Sequence, residues 1–241
     1  MTKFTRHTIE AAPEGSRPAM ERLKAAAGVL PNLAATMSES PALIDGFVTL
    51  RETLQRQATL DARQREILGL SNAVANGCTW CVAFHSFVAL KLGVDRETVD
   101  AIRAGKAPAD PRAAALHAFT GRLVERRGQI DGRDLDAFIA AGFTRAQALE
   151  TVAALAVSLM ANYAGNFVEP ELDPFLTDLA WSGSAQLIPA LPGGRDFSPL
   201  PHDRDPKSLQ LFGIMPRRQM LRLPGLTGGI AASSGGRRSA G

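Results

Sequence analysis

Both cysteines of this 241-residue chain lie three positions apart, and a histidine follows the second cysteine four positions later. These residues are Cys78, Cys81 and His85. Side chains at positions i, i+3 and i+7 share one face of an α-helix, so a helical segment here would align two thiols and a base. Two neighbouring thiols can cycle between dithiol and disulfide, with a thiolate as the nucleophile. The spacing therefore predicts a redox-active site.

The pair Asn76-Gly77 is a helix stop signal directly before the first cysteine. A new helix is expected to begin at Cys78, with both thiols near its first turn. The positive end of the helix dipole favours thiolate there, and most strongly at Cys78. His85, however, is the i+4 neighbour of Cys81, and a neighbouring base favours Cys81 as the nucleophile. We give the neighbouring base more weight than the helix dipole and expect Cys81 to be the attacking thiol.

A carboxylate twelve residues before the first cysteine is the second candidate for this site. Glu66 borders an apolar stripe at helical spacing, formed by Ile67, Leu70, Ala73 and Val74. Its carboxylate is therefore expected to face inward. It can reach the thiols only if its own helix and the cysteine helix meet at an angle, which the sequence does not determine.

The elements that must position these side chains are predicted to be helices. No segment alternates apolar and polar residues over five or more positions, so the expected fold is all-α. Proline and aspartate starts and glycine stops place the helices at residues 17–27, 41–54, 61–76, 78–92, 95–104, 111–127, 134–141 and 144–166.

Composition divides the chain into two parts. Residues 183–241 contain seven prolines and ten glycines, with seven arginines and one lysine against three aspartates, a net charge of +5. Because the whole chain carries +3, residues 1–182 carry −2. We predict one helical domain over residues 1–182 and a disordered tail over residues 183–241.

Charge and hydropathy also bear on partners and location. The mildly acidic domain argues against nucleic-acid binding by the core. Prolines and charged residues near the start leave no secretory apolar region, and we expect no membrane-spanning stretch. The expected location is the cytoplasm, where a pair of cysteines at this spacing stays reduced and available for redox or metal chemistry.

The pattern of Glu66, eleven residues, Cys78-x-x-Cys81, three residues and His85 resembles the alkylhydroperoxidase D (AhpD-like) branch of the carboxymuconolactone decarboxylase family. The resemblance covers about residues 3–182. It includes the segments Ala12-Pro-Glu-Gly-Ser16, Leu30-Pro-Asn-Leu33, Glu39-Ser-Pro-Ala-Leu43, Leu92-Gly-Val-Asp95 and Ile102-Arg-Ala-Gly105.

This resemblance implies a thiol-dependent peroxidase acting on hydroperoxides, or a disulfide reductase, without a bound metal or organic cofactor. It implies a homotrimer or homohexamer and a lipoyl-protein or peroxiredoxin redox partner. In the family mechanism Cys81 attacks, Glu66 draws its proton through His85 and water, and Cys78 resolves the sulfenic acid to a disulfide. The chain departs from the family pattern at Trp80, where other members carry a second histidine, so its relay is shorter.

Other functions remain open at the level of sequence. Cys78, Cys81 and His85 could supply three metal ligands, although a structural zinc site needs a fourth. The protein could instead be a non-catalytic redox sensor or an interaction protein. A thioredoxin-like enzyme is disfavoured because its cysteine pair follows a β-strand. Decarboxylation of a muconolactone is disfavoured because that branch of the family is not built around a cysteine pair.

Overall fold

The computed structural model describes residues 4–183, and this part of the chain is helical without β-strands. The all-α prediction is confirmed. The predicted tail lies outside the described residues except for Gly183, so the domain boundary stays a prediction. The described residues form α1 (Arg17–Ala27), α2 (Asn32–Met37), α3 (Pro41–Gln57), α4 (Ala62–Ala75), α5 (Thr79–Lys91), α6 (Arg96–Arg103), α7 (Pro111–Glu125), α8 (Gly132–Ala140) and α9 (Arg145–Val168), with short 3-10 segments at Glu14–Ser16 and Pro174–Leu179.

Polar residues directly before the helices fix where most of them begin. A side-chain oxygen accepts a hydrogen bond from a first-turn backbone N–H at Ser40, Asp61, Asp95, Asp110, Asp131 and Thr144. Such caps satisfy backbone donors that have no partner within the helix. These signals are local, and the sequence therefore predicts every helix except α2 to within a few residues.

Helix α2 differs because no side chain of its own segment caps it. Pro31 precedes the helix, and the N–H of Asn32 donates instead to both carboxylate oxygens of Asp173, at 3.1 and 3.2 Å. The capping group is thus 141 residues away in sequence. A helix of six residues with a remote cap has no local signal that would predict it.

Helix α4 lies at the centre of the fold, packed against α5, α7 and α9. Its residues from Ile67 to Ala73 are buried without interruption, polar Ser71 and Asn72 included. The largest fully buried side chains around it include Leu68, Leu70, Val82 and Leu116. The two helices that carry the predicted site residues, α4 and α5, are therefore held firmly by the core.

Helix α9 is, among the described residues, the one helix long and apolar enough to cross a membrane by length and composition. It nevertheless packs against α3, α4 and α5, and its polar residues Thr151, Ser158 and Asn162 are buried in the fold. A third of its most apolar window is buried, so α9 packs on the core with one face and leaves the other face exposed.

Candidate active site

A tight turn brings the cysteine helix back against the helix that carries Glu66. Gly77 adopts the left-handed conformation, with φ of 65°, and Cys78 N–H donates to the carbonyl of Ala73 at 3.0 Å. Gly77 N–H donates to Val74 at 3.1 Å in the same turn. These two hydrogen bonds run from the residues after the helix back to carbonyls of its last turn. They are the capping pattern that ends a helix at a glycine, and they end α4 here. Three residues then suffice to connect α4 to α5, and the chain folds back on itself.

The reversal places Glu66 beside His85. Glu66 Oε2 lies 2.8 Å from His85 Nδ1, and the two side chains are 20% and 18% exposed. The sequence left open whether these helices meet closely enough, and the structure shows that they do. The carboxylate orients the imidazole and fixes which ring nitrogen faces it, which is how such a pair prepares a histidine for proton transfer.

Gly69 makes the position of this imidazole possible. A Cβ at residue 69 would lie 2.5 Å from His85 Cε1 and 2.7 Å from its Nδ1, closer than real Cβ contacts. Only a residue without a side chain fits between α4 and the ring. The opposite edge of the histidine contacts Phe84, whose ring meets it edge to face at a centroid distance of 5.6 Å.

The two cysteines are free thiols, each 1% exposed. Cys78 is the residue that precedes α5, and Cys81 lies within the first turn. The expectation that both thiols lie at a helix start is therefore met, with the helix beginning one residue after Cys78. Cys78 Sγ lies against the backbone of Gly165 on α9, where a Cβ would be 2.6 Å from the sulfur.

The pKa values of the two thiols are shifted in opposite directions. Hydrogen bonding from the Cys81 side chain lowers the pKa of Cys78, helped by the backbone N–H groups of Cys81 and Trp80 and opposed by burial. Burial raises the pKa of Cys81 well above its usual value, and the hydrogen bond to Cys78 raises it further. Of the two thiols, Cys78 is therefore the one that loses its proton first as pH rises.

A cavity of about 340 Å³ reaches this site from the surface. Cys81, Glu66 and His85 line it together with Trp80 and mostly apolar side chains, whereas Cys78 is not part of its lining in the described chain. The volume is at the lower end of the range of about 300–1,000 Å³ that is typical of small-molecule sites. A small ligand can therefore meet Cys81 and the Glu66–His85 pair at once.

Trp80 anchors the start of α5. Its indole N–H donates to Asp173 Oδ2 at 3.0 Å, and its ring stacks on Phe84 at a centroid distance of 5.1 Å. Asp173 also caps α2 through Asn32, so one buried carboxylate connects three segments of the fold. Burial raises the pKa of Asp173, against the opposing effect of these hydrogen bonds. Trp80 therefore positions the start of the cysteine helix.

His117 lies outside the lining of this cavity. His117 Nδ1 is 2.8 Å from Ser71 Oγ, and burial lowers the pKa of His117. Across residues 4–183, no group of three or more His, Cys, Asp and Glu side chains is arranged to hold a metal ion.

Sequence reasoning missed three residues that shape the site. Gly69 and Gly165 give room to His85 and Cys78, and Asp173 binds Trp80. Each acts through a contact across helices, and a single glycine or aspartate in a helical pattern gives no signal of such a contact. Of the four predicted site residues, Glu66 and His85 are hydrogen-bonded and line the same cavity as Cys81, whereas Cys78 lies beside Cys81 outside that lining; their catalytic roles stay predictions.

Comparison with known proteins gives a family match over part of the chain and a shared fold. A family model of the carboxymuconolactone decarboxylase family matches residues 41–120, about a third of the chain. A comparison with curated proteins gives no match. The resemblance inferred from the site motif is confirmed by the family match.

Several crystal structures share this fold. One is described as the alkylhydroperoxidase AhpD core of a peroxidase-related protein from Ralstonia eutropha JMP134, with a TM-score of 0.65 and 21% identity over 73% of this chain and 94% of that chain. Another is the debrominase Bmp8, whose cysteine-to-alanine variant was solved with 2,3,4-tribromopyrrole, with a TM-score of 0.61 and 19% identity over 74% and 95% of the two chains. A peroxidase-related protein from Silicibacter sp. TM1040 has a TM-score of 0.61 and 15% identity over 71% and 91%.

Proposed function

We propose that this protein is a thiol-dependent peroxidase of the alkylhydroperoxidase type, acting on organic hydroperoxides. The match of residues 41–120 to the carboxymuconolactone decarboxylase family model supports the proposal. The observation that carries the proposal is the cavity in which Cys81 meets the hydrogen-bonded pair of Glu66 and His85. A second free thiol, Cys78, lies directly behind Cys81.

The proposed reaction begins with removal of the proton from Cys81. Burial opposes ionisation of this thiol, so a base must assist, and the Glu66–His85 pair lies in the same cavity. The Cys81 thiolate attacks one oxygen of the hydroperoxide, the O–O bond breaks, and the leaving alkoxide takes a proton to become an alcohol. Cys81 is thereby oxidised to a sulfenic acid.

Cys78 then completes the cycle. Its lowered pKa favours the thiolate, which attacks the Cys81 sulfur and displaces hydroxide, released as water. The sum is one hydroperoxide and two thiols converted to one alcohol, one water and one disulfide. A dithiol donor must then reduce the disulfide. We propose a lipoyl protein or a peroxiredoxin as the redox partner and the cytoplasm, which keeps thiols reduced, as the location.

The pKa of Cys78 is lowered and that of Cys81 is raised. We nevertheless propose Cys81 as the attacking thiol, because a substrate in the cavity can contact it. Cys81 lines the cavity, while Cys78 is covered by Gly165. Both thiols are 1% exposed, so the choice rests on the cavity, whose lining includes Cys81 and not Cys78. The low pKa of Cys78 suits the resolving step, in which the target sulfur is its direct neighbour.

We also propose that the domain assembles as a homotrimer or homohexamer through the outer face of α9. Four large apolar side chains on this helix are exposed: Leu149, Val152, Tyr163 and Phe167. An apolar stripe of this kind on a helix that already packs on the core favours contact with a second copy. Light scattering of the wild type and of Phe167→Glu tests this assembly, and a monomeric wild type would contradict it.

The enzyme is tested by treating the reduced protein with an organic hydroperoxide and following its mass. Loss of two hydrogens as a Cys78–Cys81 disulfide, with stoichiometric alcohol, is the expected result. Cys78→Ser should stop at the sulfenic acid, and Cys81→Ser should not consume peroxide. Thiols that stay reactive after peroxide would contradict the proposal.

The same assay separates the alternatives. A redox sensor forms the disulfide but shows no turnover with any dithiol donor, and a disulfide reductase turns over with a disulfide substrate and not with peroxide. Because the debrominase Bmp8 shares the fold, 2,3,4-tribromopyrrole belongs in the substrate panel. Bromide release by the wild type that exceeds its peroxide turnover would replace the peroxidase proposal.

A further inference from the structure

Arg51 is a basic side chain in the wall of the apolar cavity. It lies on the face of α3 that also carries Phe47, Leu54 and Gln55 to the cavity, and it is half-buried. Within residues 4–183 its guanidinium has no hydrogen bond and no ion pair, whereas Arg22 on the neighbouring α1 binds Asp45 at 2.7 Å.

The charges around the cavity leave Arg51 uncompensated. The charged residues of the lining are Arg51, Arg65 and Glu66. Arg65 donates to the carbonyl of Leu60, and Glu66 is 2.8 Å from His85. Arg65 also faces the carboxylate of Glu150, so within residues 4–183 Arg51 is the charged residue of the lining that has no partner. A guanidinium next to apolar walls interacts strongly with an anion, because solvent screening is weak there.

We propose that the cavity takes an apolar molecule that carries a carboxylate, with the carboxylate bound by Arg51 and the apolar body along Phe47, Leu54, Trp80 and Phe84. A guanidinium presents donors in a fork that matches a carboxylate. The part of this inference that concerns reaction rests on the proposed function: the substrate is then the hydroperoxide of a carboxylic acid, reduced at Cys81 to the hydroxy acid.

Binding is tested first without any redox chemistry. The probes are octanoate and its uncharged counterpart 1-octanol, and their binding to the reduced protein is measured by calorimetry. The wild type should prefer octanoate, and Arg51→Gln should lower the ratio of the two affinities about 10- to 100-fold, the range for a hydrogen bond to a charged group.

Two further variants separate charge from disturbance of the fold. Arg51→Lys keeps the charge and should recover part of the preference for octanoate. Arg56→Gln lies on the same helix outside the cavity and should keep the wild-type ratio. Arg56 is exposed and donates a hydrogen bond to Thr53 at 3.4 Å. An octanoate preference that is absent in the wild type, or equal in Arg51→Gln, overturns the carboxylate site.

Reaction is tested with the hydroperoxide of linoleic acid and with its methyl ester. The ratio of kcat/KM for acid and ester should exceed one in the wild type and approach one in Arg51→Gln, mainly through KM. If both hydroperoxides react equally in both proteins, the carboxylate site is wrong and the peroxidase stands. If octanoate binds through Arg51 and neither hydroperoxide reacts, the carboxylate site stands and the peroxidase is wrong.

Discussion

The backbone of Gly165 lies directly against the thiol of Cys78, so that a Cβ at residue 165 would be 2.6 Å from Cys78 Sγ and 3.7 Å from Cys81 Sγ. Helix α9 thus packs directly on the cysteine pair, and it also lines part of the cavity. Of the two thiols, Cys81 is the one that lines the cavity. The contact with Gly165 also means that a residue with no side chain controls how closely the two sulfurs are held.

Replacing this glycine tests the contact. Gly165→Ala gains about 1 kcal/mol in helix propensity but overpacks a buried site at a cost of about 1–3 kcal/mol. We expect a net loss of about 1 kcal/mol in the free energy of unfolding and slower Cys78–Cys81 disulfide formation with peroxide. Gly121→Ala on α7 is the control, since a Cβ there meets nothing within 4 Å. Equal disulfide rates in the two variants would show that Gly165 does not hold the pair.

Gly69→Ala should displace the imidazole of His85 without altering that side chain. The new methyl group would overlap the His85 ring, which must turn away from α4 and lose its hydrogen bond to Glu66. We expect a fall in Cys81 alkylation at neutral pH comparable to that of His85→Ala. Combining Gly69→Ala with His85→Ala should add little, because both remove the same interaction. Additive losses would mean that Gly69 acts through packing alone.

The opposite pKa shifts of the two thiols predict a titration in two steps. Reduced protein should show one thiolate by ultraviolet absorbance below the usual cysteine value of 9.0, from Cys78, and the second only well above it, from Cys81. Cys81→Ala removes the side-chain hydrogen bond that is the main cause of the lowered Cys78 pKa, so the pKa of Cys78 should rise. Cys78→Ala should leave the pKa of Cys81 raised, because burial is its main cause. A single step near 9.0 for both thiols would contradict this assignment.

The sequence predicted the helices well because their signals are local. Asp61 caps the start of α4 with its side chain. Gly77 adopts a left-handed conformation in the turn that ends α4 and leads to α5. The cysteine pair, His85 and Glu66 could be proposed from spacing on two adjacent helices. What spacing could not decide was whether α4 and α5 meet, since that depends on the turn and on packing against α9.

The parts of the site that the sequence did not predict depend on contacts between distant segments. Asp173 follows α9 yet caps α2 and binds Trp80. Gly165 and Arg51 reach the site from α9 and α3, which pack against each other. No periodicity or motif marks these residues, because their role arises only when the helices assemble.

The shared carboxylate of Asp173 gives a prediction about stability. Asp173→Ala leaves the N–H of Asn32 and the indole N–H of Trp80 without acceptors in a buried site, at about 1–3 kcal/mol for each unpaired donor. Trp80→Phe removes one donor and keeps the aromatic ring, so its cost should be smaller. Urea unfolding of both variants and of the double variant measures the coupling. Costs that simply add would mean that the Trp80–Asp173 hydrogen bond contributes nothing to stability.

The pairing of Glu66 with His85 is tested by removing its charge alone. Glu66→Gln keeps the shape of the side chain but cannot accept a proton, so Cys81 alkylation at neutral pH should fall by about 10²–10⁴-fold, the usual contribution of general acid–base assistance. Partial recovery is expected as pH rises, because Cys81 then ionises unaided. His85→Ala should behave alike, and Cys81→Ser should show no alkylation of residue 81 at any pH. Glu21→Gln, at an exposed position of α1, is the matched control. Site-resolved alkylation rates from about pH 6 to 10 decide the matter: if Glu66→Gln and Glu21→Gln give superimposable curves, Glu66 only supports the fold.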